Sequence, residues 1–134
     1  MSRAGLASLT RDSNGAAVID FAFALPVLVA LMLGTIQLSN TLHASGAMRH
    51  AVGEGIRLAK VDPTASIADI EAAVKNNFPA MDTSKITKLE VSRGTSNGAQ
   101  TGAITMEYKV EPIVPILPIP DVTLTETKQV YLPA

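Results

Sequence analysis

The sequence predicts an α+β protein with a long N-terminal helix, a short second helix and a three-stranded antiparallel meander. The first part of the long helix is predicted to span a membrane and the second part to be amphipathic. Three observations support this: an apolar run over residues 16–38, helical spacing of apolar residues up to residue 60, and alternating polarity in the last third of the chain.

The apolar run from Ala16 to Leu38 is long enough to cross a bilayer. It contains one ionisable residue, Asp20, and one late amide, Gln37. A membrane-spanning helix needs about 20 mainly apolar residues, and residues 16–38 extend about 35 Å as a helix. The run therefore predicts a single transmembrane helix and makes the lipid bilayer the first expected partner.

The flanking cations predict the orientation of this helix. Arg3 and Arg11 precede the run, and the next cation after it is Arg49. The positive-inside rule then predicts a cytoplasmic N-terminus and an exported C-terminal part. A cleavable secretory signal is a rival, because residues 44–47 are small. A signal's apolar region is usually about 7–15 residues long, however, and this run is longer and contains Asp20.

The position of Asp20 separates the remaining interpretations. A carboxylate within a membrane helix costs a few kcal/mol on insertion scales, so it normally reaches water or has a partner. Asp20 lies about one turn inside the run, where it could reach the cytoplasmic interface. Gly15, however, is followed by Ala-Ala-Val-Ile-Asp-Phe. A cut after Gly15 would make Asp20 the fifth residue and Phe21 the sixth.

Together with Pro26, Gly34 and the full apolar run, this motif makes residues 13–40 resemble the type IV pilin class. The closest resemblance is to the TadE-type minor pseudopilins of tight-adherence pilus systems, which usually have Glu at the position of Asp20. The resemblance implies a structural role in pilus assembly, surface attachment and biofilm formation. It implies a prepilin peptidase, an assembly platform and other pilin-like subunits as partners. It also implies an inner-membrane location with a periplasmic C-terminal domain.

The chemistry of the motif is consistent with that role. Cleavage between Gly15 and Ala16 would create an ammonium group on Ala16, four residues before Asp20 and thus on the same helix face. Asp20 could pair with this ammonium or with that of a neighbouring subunit. Either ion pair would offset the desolvation of both charges and set the register of packed helices. We therefore divide the chain into a leader (1–15), a transmembrane helix (16–38) and an exported domain (39–134).

Two further residues of the span leave alternatives open. Pro26 lacks an N–H and crowds the carbonyl of Ala22, which predicts either a plain kink or an assembly-related melt of residues 22–26. Gly34 permits close approach of another helix, but a single glycine is not a dimerisation motif.

The helix is predicted to continue to Lys60. Apolar or small residues recur at steps of three and four and define one face: Leu38, Leu42, Ser45, Met48, Val52, Ile56 and Ala59. His43 and His50 lie seven apart on this segment, but no third ligand with suitable spacing accompanies them, so we interpret them as solvated. Pro63 predicts the end of the helix.

The rest of the chain predicts a helix and three strands. Ser66 is the predicted N-cap of a helix over residues 67–77, whose apolar stripe is Ile67, Ile70, Val74 and Phe78. The predicted strands are residues 85–92, 103–110 and 122–132, with a flexible polar hairpin loop over 93–102. Ile104, Met106, Tyr108 and Val110 are predicted to face inward, as are Val122, Leu124, Val130 and Leu132. The helices are expected to cover this sheet.

Residues 111–120 (EPIVPILPIP) form a proline-rich segment. Its four prolines exclude a helix and a central strand. Two interpretations remain open: an extended segment folded over the sheet edge, or a docking surface for another pilus subunit.

Composition and motifs argue against several other functions. The charges nearly balance, with Lys+Arg 11 and Asp+Glu 12, and no basic block is present, which disfavours nucleic-acid binding. Cysteine is absent, and no phosphate loop or nucleophile motif occurs. We expect no enzyme activity, no cofactor, no metal and no small-molecule substrate. The alternatives are an uncleaved membrane-anchored periplasmic binding or scaffold domain, and a type II secretion pseudopilin.

Overall fold

The structure, a computed structural model, describes residues 13–78, 81–114 and 120–132, with side chains from residue 15 onward. Helix α1 extends over Ser13–Val61 and helix α2 over Ile67–Asn76, and a short 3-10 helix follows at Thr83–Lys85. The strands are β1 (Ile86–Ser96), β2 (Ala99–Val110) and β3 (Val122–Tyr131). The predicted α+β class is confirmed. Most of the predicted leader and the centre of the proline-rich segment lie outside the described residues.

The chain divides into two compact units, Met1–Ile36 and Gln37–Ala134. In the first unit, the described residues are a single stretch of α1. All side chains from Gly15 to Met32 are exposed. By length and composition, this is the one helix among the described residues that could cross a membrane, with a mean hydropathy of 2.4 over its most apolar window.

In the second unit, one face of α1 is buried in the core. The buried hydrophobic residues of this face are mostly alanines: Ala44, Met48, Ala51, Val52 and Ala59. The predicted face is thus correct from Met48 onward. It is wrong at its start, because Leu38 and Leu42 remain 59% and 64% exposed. The face of α1 that contacts the core carries small alanines, which allow the helix to lie close to it, whereas Leu38 and Leu42 lie outside this face.

Helix α2 begins at the predicted cap. The Asp69 N–H donates to the Ser66 hydroxyl, and the Ser66 N–H donates back to the Asp69 carboxylate, which completes a capping box. Ile70, Val74 and Phe78 are buried as predicted, whereas Ile67 is 47% exposed because it lies in the first turn, at the rim of the contact.

The sheet is the predicted antiparallel meander in the order β1-β2-β3. The inward residues of central strand β2 are all buried: Ile104, Met106, Tyr108 and Val110. Tyr108 meets Phe78 edge to face, with ring centroids 5.2 Å apart. The β3 residues predicted to face inward are partly buried. Glu126 shares their side, and its carboxylate lies 3.5 Å from Arg49 Nε.

The predicted hairpin between the first two strands is present, but the prediction of a flexible loop over residues 93–102 is wrong. β1 and β2 continue through this stretch and are joined by the two-residue turn Asn97-Gly98. Both turn residues have positive φ, 52° and 79°. Such values are required at both central positions of a type I′ turn, which matches the twist of a hairpin and favours Asn-Gly. The polar composition of residues 93–102 indicated a loop. The Asn97-Gly98 turn instead lets β1 extend to Ser96 and β2 begin at Ala99.

Candidate functional site

The predicted assembly residues lie on a helical surface that the rest of the described chain leaves uncovered. The large apolar side chains of the first unit are exposed: Val18, Ile19, Phe21, Phe23, Leu25, Val27, Leu28, Val29, Leu31, Met32 and Ile36. A contiguous apolar surface of this size marks a membrane or protein contact. This helix therefore requires lipid or other apolar helices around it.

The Gly15–Ala16 bond lies in the first turn of α1, which begins at Ser13. The first four N–H groups of a helix lack intrahelical acceptors. Opening the chain at this bond would therefore break few backbone hydrogen bonds. A Cβ at Gly15 would meet no atom of the described residues within 4 Å.

Asp20 is an exposed carboxylate within this apolar surface, one turn after Ala16. None of the ion pairs formed by the described residues includes it. Phe21, beside it in the sequence, is also exposed. The structure thus places the acid where a charged group from another molecule, or the amino group that cleavage would create, can reach it.

The remaining motif residues lie within continuous helix. α1 is continuous through Pro26 in the single chain, and a melt of residues 22–26 on assembly stays a prediction. Gly34 faces open space, since an added Cβ would meet nothing within 4 Å. The Thr35 hydroxyl donates to the Leu31 carbonyl at 2.8 Å, which satisfies a polar group that would otherwise face an apolar environment.

A connection absent from our predictions joins Gln37 to the proline-rich segment. The Ile113 N–H donates to Gln37 Oε1 at 3.1 Å. Gln37 Nε2 is buried and has no hydrogen-bond partner among the described residues. A signal for this contact was present in the sequence, since an amide at the end of an apolar run requires a partner when it is buried.

Ion pairs hold both ends of the proline-rich segment. Lys85 Nζ lies 3.0 Å from the Glu111 carboxylate, and Lys109 Nζ lies 2.8 Å from that of Asp121, just after the segment. The hydrogen bond that Lys85 donates to the Glu111 carboxylate raises the pKa of Lys85, and the one that Lys109 donates to the Asp121 carboxylate raises the pKa of Lys109. Both lysines therefore stay charged at neutral pH, and each acid at the segment's ends is compensated.

A hollow of about 270 Å³ beside this segment is lined in part by His43, Lys85, Tyr108 and Glu111. Burial raises the pKa of Tyr108. The hydrogen bond and ion pair with Glu111 raise the pKa of Lys85. Both shifts move away from neutral pH, which makes these groups poor general bases. Over the described ranges, no three His, Cys, Asp or Glu side chains meet in a way that could hold a metal.

One comparison with known proteins finds a match. A family model described as "TadE-like protein" matches residues 15–57, which comprise the candidate span and most of the amphipathic half of α1. This is the family that residues 13–40 resemble, so the resemblance is confirmed. Neither a curated protein nor a solved structure matches the chain.

Proposed function

We propose that this chain, whose residues 15–57 match the TadE-like family, is a minor pseudopilin that acts as a structural and assembly component of a tight-adherence pilus system. The observation that carries this proposal is the uncovered apolar surface of α1, with Asp20 one turn after a Gly15–Ala16 bond in the first helical turn. In this role the protein supports surface attachment and biofilm formation.

The proposed topology follows from the same helix. Residues 16–38 cross the bacterial inner membrane, with the N-terminus in the cytoplasm and the domain of residues 39–134 in the periplasm. A prepilin peptidase cuts after Gly15. The processed helix then joins the assembly platform and other pilin-like subunits. Loss of the leader removes Arg3 and Arg11, the cations that hold the N-terminus at the cytoplasmic face.

Asp20 has a specific task in this proposal. Processing gives Ala16 an ammonium group, and Asp20 pairs with the ammonium of its own or a neighbouring chain. Removal of one partner of such a pair in an apolar environment leaves the other charge uncompensated, which typically costs about 3–5 kcal/mol. The other contacts between neighbouring helices are apolar and nearly equivalent along the helix axis. The ion pair therefore fixes the axial position of one helix relative to the next.

Pilus counts on cells that express Asp20 variants test this proposal. Asp20→Ala should insert normally into the membrane, because it removes a charge, but it should sharply reduce surface pili. Asp20→Glu should keep pili, because charge and position are retained. Glu90→Ala is the matched control, since it removes an exposed carboxylate from β1. Wild-type pilus numbers in Asp20→Ala, at matched protein levels, would refute the proposed role.

Two other functions make different predictions. An uncleaved membrane-anchored binding or scaffold domain would retain residues 1–15. A type II secretion pseudopilin would be cleaved in the same way, but its gene would neighbour secretion genes.

A further inference from the structure

Strand β3 is an edge of the sheet, and its outer side pairs with no strand among the described residues. It pairs with β2 in one continuous register, from Val122 to Tyr131. The other edge strand, β1, carries two features that oppose pairing with another chain: a register shift between Ile86 and Lys88, and an exposed ion pair between Lys88 and Glu90. The edge of β3 is therefore the more regular of the two.

The free backbone groups on this edge belong to every second residue of β3. The Leu132 N–H donates to the Gln100 carbonyl at 2.8 Å, in the register of the β2–β3 ladder. Because hydrogen-bonded and non-hydrogen-bonded pairs alternate in an antiparallel ladder, the even-numbered residues of β3 bond to β2. The odd-numbered residues direct their N–H and C=O groups away from the sheet: Thr123, Thr125, Thr127, Gln129 and Tyr131. An added strand would bond to these residues.

The side chains of β3 form two different rows. The odd-numbered row is exposed and has no charge. The even-numbered row lies on the side of α1 and has two opposite charges between apolar ends: Val122, Leu124, Glu126, Lys128, Val130 and Leu132. The Glu126 carboxylate lies 3.5 Å from Arg49 Nε, and Lys128 Nζ donates to the Arg49 carbonyl at 3.3 Å. Inward charges on an edge strand disfavour pairing with an ordinary strand, because apolar side chains would lie opposite them.

We propose that β3 pairs with β3 of a second copy of the chain, antiparallel and centred on Thr127. In this register Glu126 lies opposite Lys128 of the second copy, and Lys128 lies opposite its Glu126. The ends of the row match as well, since Val122 lies opposite Leu132 and Leu124 opposite Val130. The odd-numbered residues then form five hydrogen-bonded pairs, which give about ten backbone hydrogen bonds between the two copies.

The two charges select this register among those that the backbone permits. Pairing centred on residue 126 would place Glu126 opposite Glu126, and pairing centred on residue 128 would place Lys128 opposite Lys128. Like charges directly opposite each other destabilise a strand pair, whereas opposite charges stabilise it. The same charges that exclude an ordinary strand thus fit a second copy of β3. This inference goes beyond the proposed role in pili and depends on neither cleavage nor pilus assembly.

Disulfide cross-linking of the full chain in isolated membranes tests this pairing, because the protein has no cysteine of its own. Thr127→Cys places its thiol on the two-fold axis, where Cα atoms about 5.5 Å apart fall in the range of a disulfide. We expect mild oxidation to give a covalent dimer. Thr125→Cys and Gln129→Cys are matched controls on the same exposed row. Each lies about 14 Å along the strand from its own copy and should not cross-link alone.

The two control variants also provide a positive test of the register. Thr125 lies opposite Gln129 of the second copy, so Thr125→Cys and Gln129→Cys should cross-link when the two chains are co-expressed, one of them with a tag that changes its size. Equal cross-linking of Thr127→Cys, Thr125→Cys and Gln129→Cys alone would indicate random collision and overturn the proposal. Absence of both the Thr127→Cys dimer and the mixed dimer would overturn it too.

Charge exchange tests whether Glu126 and Lys128 specify the partner. In chains that carry Thr127→Cys, Glu126→Lys and Lys128→Glu should each abolish the cross-link, because like charges then lie opposite each other. Co-expression of the two variants should restore it as a mixed dimer, which a general folding defect would not do. Glu90→Lys, on β1, is the control and should leave the cross-link unchanged. Cross-linking that ignores the charges at residues 126 and 128, or that co-expression does not restore, would overturn the register.

Discussion

The close packing around Gly55 predicts different effects for two similar glycine substitutions in α1. A Cβ on Gly55 would lie 2.5 Å from Val74 Cγ2 and 2.9 Å from Ile104 Cδ1, well inside the usual carbon–carbon separation. Both neighbours are fully buried, and Val74 is β-branched and stiff in its helix. Gly46, in the same helix, faces open space. We therefore compare Gly55→Ala with Gly46→Ala.

Two effects determine how each substitution changes the free energy of unfolding. Replacing glycine by alanine inside a helix stabilises it by about 0.8–1 kcal/mol, and both variants share this gain. Overpacking of a well-packed core typically costs about 1–3 kcal/mol, and this term applies only at Gly55. The difference in unfolding free energy between the two variants should therefore be about 1–3 kcal/mol, with Gly46→Ala the more stable.

Thermal unfolding of residues 40–134, which we predict to be soluble, mixed α/β and marginally stable, provides the assay. A change of 1 kcal/mol shifts the Tm of a domain of this size by about 4–8 °C. Gly46→Ala should raise the Tm by a few degrees, and Gly55→Ala should melt several degrees below Gly46→Ala. Equal melting temperatures would refute the close packing of α1 on α2 and β2.

Two further predictions use the same fragment. Ser66→Ala should lower the unfolding free energy by about 1 kcal/mol, because it removes the capping hydroxyl of α2. The hydrogen bonds from Ser66 lower the pKa of Asp69, so their contribution is present above the ordinary value of 3.8 and is lost as the pH falls through the lowered pKa. A pH titration of unfolding should therefore show a smaller acid loss in Ser66→Ala, and identical acid profiles would contradict this. Gly98→Val should destabilise by about 1–2 kcal/mol, since its φ is +79°, whereas Thr95→Val at a strand position should be nearly neutral; equal melting curves would refute the type I′ turn.

The elements that sequence predicted well are those set by local chemistry. Pro63 marks the end of α1 at Val61, and Ser66 with Asp69 marks the start of α2. Strict alternation in β2 predicts which of its side chains are buried. In each case the deciding residues lie within a few positions of the feature, so no tertiary information is needed.

The features that sequence missed depend on distant contacts or on competing signals. Leu38 and Leu42 fit the helical pattern as well as Met48 does, and only the position of the sheet shows that they stay exposed. The bond between Gln37 and Ile113 joins residues 76 apart. The hairpin turn was predictable, because Asn97-Gly98 is a strong type I′ signal, but the polar residues around it favoured a loop.

The mature N-terminus tests the central claim most directly. Intact-mass analysis of the protein from cells that make the peptidase should find a chain that begins at Ala16. Gly15 changed to a bulky residue should abolish that species, because the bond must fit closely into a peptidase cleft. A native protein that retains residues 1–15 under these conditions would contradict the pseudopilin account and favour the uncleaved membrane anchor.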